Sequence, residues 1–192
     1  MHTQNIAKMT IKTVSTLLKE NICISNILDL ILQTEEQSFV KELQETREVY
    51  EKRITIFPDY VFLFFDDENN YFGYFCAEFL EEVPNSFEKI AFNHTPRSKN
   101  FENGILYISS FAINLSHRKL HLGKKMFYSI FELLQKDEKI KKIVLLVNEK
   151  WSGAINIYKS CGFSLIKTFS KVFPPEEPSL EKSDGLFMMI EK

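Results

Sequence analysis

The spacing of apolar residues along this chain changes period several times, and each change marks an element. Lys8–Val14 alternates weakly between apolar and polar side chains, as a first strand does. From Ile22 to Phe39 the residues Ile24, Ile27, Leu28, Ile31 and Leu32 recur at helical spacing. A more polar helical stretch continues from Val40 to Arg53, so two helices are expected after the first strand. Tyr60–Phe65 and Tyr71–Leu80 then form strand-rich runs on either side of the polar turn at residues 66–70, which predicts an antiparallel pair. Residues 83–104 carry Pro84, Asn85, Pro96 and Gly104 with little periodicity and read as a long loop, suited to lining a substrate cleft.

The most regular patterning lies between Ile105 and Phe163. An apolar strand, Ile105–Ile113, runs into a basic turn, Ser116–Lys124. A long helix follows, with Leu122, Met126, Ile130, Leu133 and Leu134 on one side and Phe127 and Phe131 widening the stripe. Ile143–Val147 is apolar at every position, as in a parallel strand covered on both faces and reached by a right-handed crossover. A last helix from Ser152 to Cys161 shows Ala154, Ile157, Tyr158 and Cys161 on one face. Gly162 suits the left-handed position after its end, and Phe163 an apolar contact that closes it. Leu165–Phe173 and Leu186–Ile190 read as two more strands, joined by a loop through Pro174, Pro175 and Pro178.

Composition narrows the class without naming a function. With 192 residues, 44% hydrophobic and 26% charged, and no linker-like stretch, the whole of residues 1–192 is expected to form a single ordered domain. The 18 Phe fall in strands and helix faces and are expected in the core. Apolar runs are strand-length and no signal pattern opens the chain, so no membrane association and a cytoplasmic location are expected. Cys23, Cys76 and Cys161 are far apart in or beside apolar surroundings, which predicts reduced thiols and no metal site. A net charge of −2 argues against a nucleic-acid partner. The charge is nonetheless uneven: residues 1–104 hold 17 Asp/Glu against 10 Lys/Arg, and residues 105–192 hold 9 against 14. A basic C-terminal half suits an anionic cofactor and an acidic N-terminal half a cationic substrate.

A strand, a tight basic turn and a helix start together form a place where proteins hold phosphate, because free backbone N–H groups and the helix dipole converge there. The turn here reads Arg118-Lys-Leu-His121-Leu-Gly123, after a strand ending Phe111-Ala-Ile113. Downstream stands Asn148-Glu-Lys-Trp151, then Ala154, Tyr158, Gly162 and Phe163 at intervals of four, four and one. Both segments resemble motifs of the GNAT superfamily of acyl-CoA-dependent N-acyltransferases. The first matches an Arg/Gln-x-x-Gly-x-Gly/Ala turn, with His121 in place of its first glycine. The second matches an Asn…Ala-x-x-x-Tyr-x-x-x-Gly-Phe pattern, with Trp151 where many members carry a second Asn. The order of elements agrees along nearly the whole chain.

The resemblance implies an α/β (α+β) GNAT fold, a central mixed twisted sheet of about six to seven strands flanked by about four helices. It implies acetyl-CoA as cofactor, held by Phe111, Ala112, Ile113, Arg118, Lys119, Leu120, His121, Leu122, Gly123, Lys124, Asn148, Trp151, Ala154 and Tyr158. It further implies an N-acetyltransferase in which a primary amine of a small molecule or protein attacks the thioester in a ternary complex, with Tyr158 as general acid for the departing thiolate. The residues themselves suggest Glu78 or Glu102 as general base, since Leu106–Ser110 contains no carboxylate. The expected partner is an amine, cationic if the acidic half attracts it, and the expected state a monomer or homodimer. Because of His121, Trp151 and the missing carboxylate, the alternative is a catalytically weak or inactive module that binds CoA as a sensor. A nucleotide-binding α/β domain is a further alternative, disfavoured by the absence of a Gly-Lys-Ser/Thr phosphate loop.

Overall fold

The strand-like segments form one mixed sheet in the computed structural model of the chain, which describes residues 9–96, 102–120, 122–177 and 179–192. Among the described residues there are seven: β1 (Thr10–Thr13), β2 (Val61–Phe65), β3 (Tyr71–Leu80), β4 (Ile105–Ile113), β5 (Lys142–Asn148), β6 (Ser164–Phe173) and β7 (Ser183–Glu191). They are ordered β1-β2-β3-β4-β5-β7-β6, and only β4 and β5 pair in parallel. Five α-helices among the described residues flank them: α1 (Val14–Lys19), α2 (Ile24–Ser38), α3 (Arg47–Ile56), α4 (Leu122–Lys136) and α5 (Ser152–Ser160). No helix among the described residues is long and apolar enough to cross a membrane.

Three helices follow β1 where the spacing predicts two. Thr13 ends β1 and at once caps α1, its Oγ1 accepting a hydrogen bond from Thr16 N at 3.1 Å. A helix of six residues is too short to show a period. The polar helix expected from Val40 begins only at Arg47, where Thr46 Oγ1 accepts from Val49 N at 3.4 Å. In α4 the buried stripe is Met126, Phe127, Ile130 and Leu134, while Leu133 is half exposed.

Alternation in β3 sends neighbouring side chains to opposite faces, and the two faces have different covers. Phe75 and Ala77 join Leu106, Ile143 and Val147 beneath Met126, Phe127 and Ile130 of α4 and Ile155 of α5. Tyr74 and Cys76 lie on the other face beneath Ile27, Leu28 and Ile31 of α2 and Tyr50 and Ile54 of α3. Further along that second face the long loop contributes Ile90, which packs with Tyr107, Val144, Phe169 and Phe187.

Candidate active site

The two central strands separate halfway along their length. Pairing between β4 and β5 runs from Ile105↔Lys142 to Ile108↔Leu145 and stops. Beyond it β4 pairs with β3 and Leu146–Asn148 pair with β7, so the inner edges of both strands face a gap. The parting begins at a β-bulge: Cys76 is opposite Ser110 and Ala77 opposite Ile108, which leaves Ser109 as the extra residue. Its Oγ donates to the Cys76 carbonyl at 3.2 Å. A bulge of this kind bends its strand and increases the local twist, and here it turns β4 away from β5. The N–H and C=O groups along the gap are ready partners for an extended, amide-bearing ligand.

A groove of about 830 Å³ opens on this gap and brings together Phe111, Ala112, Ile113, Arg118, Asn148, Trp151, Ala154 and Tyr158, all expected at a cofactor site. Arg118 folds back so that its Nε donates to the Ile113 carbonyl at 3.0 Å. Asn148 Oδ1 already accepts from Lys150 N and Ser183 Oγ, both at 2.9 Å, so its acceptor oxygen holds the turn into α5. Trp151 is the residue before α5 and walls the groove, its ring 5.9 Å from that of Phe39 and 5.5 Å from that of Phe173. Three other expected residues lie outside this lining. Leu122 packs against the α4 face of the core, and Lys124 Nζ stands 5.5 Å over the Tyr128 ring. Gly123 lies in the first turn of α4, where an added Cβ meets, among the described residues, only Ile113 Cγ1, at 3.7 Å. His121 and the side chains of Lys119 and Leu120 lie outside the described residues.

The groove fits a CoA-like group by its donors. Ser38 Oγ, buried at the end of α2 and part of the groove wall, has no hydrogen-bond partner among the described residues. With the unpaired strand edges it can satisfy an amide arm, while Arg118 and the start of α4, which has no acidic residue in its first turn, favour an anion.

Tyr158 is held by how its helix ends. Gly162, at φ 94°, takes the left-handed position, Phe163 N donates to the Tyr158 carbonyl at 3.1 Å, and Gly162 N donates to the Lys159 carbonyl at 3.0 Å. The Tyr158 ring rests 5.0 Å from Phe127 and 6.1 Å from Phe163. Its hydroxyl has no partner among the described residues, and burial raises its pKa, keeping the phenol protonated.

Tyr158 also lines a second, smaller cavity of about 80 Å³ that passes through the gap. On its far side stand Glu35 of α2, Ser110 and Tyr107 of β4, and Glu45, with Phe39, Phe92 and Phe173 as apolar wall. Glu35 escaped the pattern reading. The apolar stripe of α2 continues past Ile31 to Thr34 and Glu35, both buried, and a carboxylate at a core position of an amphipathic helix was the available signal.

The two carboxylates suggested as general base are elsewhere. Glu78 is buried and accepts from Arg53 Nε at 3.2 Å and contacts His94 Nε2 at 2.7 Å, away from the gap. Glu102 precedes Ile105, at the end of β4 where the strands are still paired, opposite the end that opens.

Comparison with known proteins agrees with this architecture. The model of the acetyltransferase (GNAT) family matches residues 27–163. Over 74 residues, 38% of this chain, the sequence is 32% identical to a protein of Drosophila melanogaster described as probable N-acetyltransferase san; the match spans 40% of that protein's length. Among solved structures, a component of the NatC complex bound to Gag peptide and CoA is similar with a TM-score of 0.67 at 16% identity, covering 96% of this chain and 99% of that one. A spermidine N-acetyltransferase SpeG chimera from Vibrio cholerae is similar with a TM-score of 0.65 at 15% identity, covering 95% of each.

Proposed function

The chain belongs to the GNAT acetyltransferase family, and from that premise we propose that it transfers an acetyl group from acetyl-CoA to the primary amine of a small molecule or protein, by direct attack in a ternary complex. The observation that carries the reading is the half-buried Tyr158, whose hydroxyl, kept protonated by desolvation and without a partner among the described residues, lines both the groove and the cavity. A protonated phenol that opens on such a space can give its proton to a departing thiolate.

Bound acetyl-CoA supplies an acyl thioester and a sulfur leaving group. The inner edges of β4 and β5 bind and orient its amide arm, and the Phe111–Ile113 backbone offers N–H groups where the acyl oxygen gains charge. Arg118 and the α4 start hold the anionic end. Phe39, Trp151 and Phe173 exclude water from the point of attack. Tyr158 holds the proton that the sulfur takes as the C–S bond breaks. The acceptor enters through the cavity, whose Glu35 and Glu45 suit a cationic amine. The same reading keeps the protein in the cytoplasm, in line with three unpaired thiols.

The experiment is thiol release from acetyl-CoA with an amine panel of spermidine, benzylamine and short peptides with free N-termini. Acetylated product on at least one of them is expected. Tight CoA binding with no acetylated product from any would overturn the reading.

A further inference from the structure

Glu35 and Tyr158 approach the same gap from opposite faces of the sheet. Glu35 lies under α2 on the face of Tyr74, and Tyr158 lies on the face of Phe75 and Phe127. The small cavity touches both. We propose that Glu35 is the catalytic base, taking the proton that the acceptor amine must lose while Tyr158 serves the leaving group from the other side. The proposal rests on the acetyltransferase reading above.

The surroundings of Glu35 are unlike those of a structural carboxylate. The residue is 2% exposed, yet no cation among the described residues is bonded to it. Arg53, the nearby cation, places its hydrogen bonds on Glu45, Glu78 and the His94 carbonyl. Glu35 instead accepts from neutral donors: Tyr74 Oη and, at 3.4 Å, Ser110 Oγ on one oxygen, and Glu45 N at 2.9 Å on the other. Tyr74 Oη is in turn 2.6 Å from Ser110 Oγ and 2.9 Å from Tyr50 Oη. Such a network fixes the carboxyl beside the cavity without committing it to a charge.

Burial raises the Glu35 pKa from 4.5 to about 7, against the lowering effect of the Tyr74, Tyr50 and Ser110 hydroxyls and of Arg53. The groups facing it are Tyr50 and Arg53 from α3, Tyr71, Tyr74 and Cys76 from β3, Ser110 from β4, and Glu45. Desolvation pushes the three phenols and the Cys76 thiol upward, so they stay neutral where Glu35 titrates. A base poised near neutrality is what proton abstraction from an amine asks for.

The step balances. The ammonium gives one proton to the Glu35 carboxylate, the C–N bond forms and the C–S bond breaks. Tyr158 protonates the sulfur and is reloaded by the second proton of the nitrogen, and Glu35 releases its proton to solvent.

The test pairs Glu35→Gln with the wild type, using spermidine, benzylamine and a free-N-terminal pentapeptide as probes, with single-turnover transfer followed against pH. Glutamate carboxyl shifts are followed by carbon-13 NMR in the protein alone. Wild-type transfer is expected to rise with pH around a midpoint of about 7. The variant is expected to lose that limb and about 10² to 10⁴ of the rate while binding acetyl-CoA as before. One carboxyl titrating near 7 should vanish from its spectrum. An unchanged rate and profile, or a Glu35 carboxyl titrating in the ordinary range, overturns the assignment. If the variant fails to fold, Glu35→Asp replaces it: the acid is kept but retracted, and a loss on the order of 100-fold with the limb retained is expected, whereas an undiminished rate overturns the assignment. A wild-type protein that acetylates none of the probes brings down the acetyltransferase reading itself, and Glu35's role with it.

Discussion

Arg53 Nε donates to Glu78 Oε1 at 3.2 Å with both side chains closed off from solvent, joining α3 to β3. The same guanidinium bonds Glu45, and His94 Nε2 lies 2.7 Å from the same Glu78 oxygen. Removing Glu78 leaves Arg53 paired with Glu45 but strips its buried Nε of an acceptor, and an unsatisfied buried donor typically costs about 1–3 kcal/mol. Glu78→Ala is therefore expected to lower unfolding stability by that amount in urea melts. Turnover per folded molecule should change little. A variant as stable as wild type, or one that folds normally and loses the pH limb of transfer, would return Glu78 to candidacy as the base.

Tyr158→Phe removes one oxygen and keeps the ring contacts to Phe127 and Phe163 and the backbone bonds that end α5. The hydroxyl has no partner to lose among the described residues, so melting should be unchanged. Loss of the proton donor is expected to lower kcat by about 10² to 10⁴ with acetyl-CoA affinity intact. Rapid-quench transfer and calorimetry measure the two separately.

How far the sequence carries can be seen at particular residues. β2, β3, β4 and β5 were legible because both faces of the central sheet are buried, leaving near-continuous apolar runs. Gly162 was legible because its φ of 94° is a position that favours glycine. The bulge at Ser109 was not: it is defined by the register against β3, and register is a relation between strands. Glu35 escaped for a similar reason. Its neighbours Tyr74 and Ser110 are 39 and 75 residues away, so its place on the buried stripe of α2 marks a core carboxylate but not the hydroxyls and the cavity that it faces.

Gly123 separates cofactor binding from stability. Among the described residues an added Cβ there meets only Ile113 Cγ1, at 3.7 Å, an ordinary contact. Gly123→Ala should leave the fold intact and gain up to about 1 kcal/mol from helix propensity, less at the first turn than in a helix interior. If backbone at the start of α4 approaches the anionic end of acetyl-CoA, the same methyl weakens binding, by on the order of tenfold or 1.4 kcal/mol. A more stable protein with a weaker Kd is the expected pair of results, from thermal melts and calorimetry.

The Glu35 carboxyl also predicts how stability follows pH. Burial raises its pKa from 4.5 to about 7, so the folded state holds this proton more tightly than the unfolded chain. Below the unfolded value both states are protonated and the contribution is fully present. Between 4.5 and about 7 the unfolded chain ionises first, and stability falls as pH rises, until above about 7 the carboxyl is ionised in both states. A displacement of this size corresponds to about 3 kcal/mol, taken at roughly 1.4 kcal/mol per pH unit. Urea melts from pH 4 to 8 should show this loss on top of the gains that other carboxylates give in the acid range, and Glu35→Gln should remove it. The difference between the two proteins isolates Glu35, because every other titrating group is common to both. A difference that stays flat across the window would mean that Glu35 titrates alike in the folded and unfolded chains.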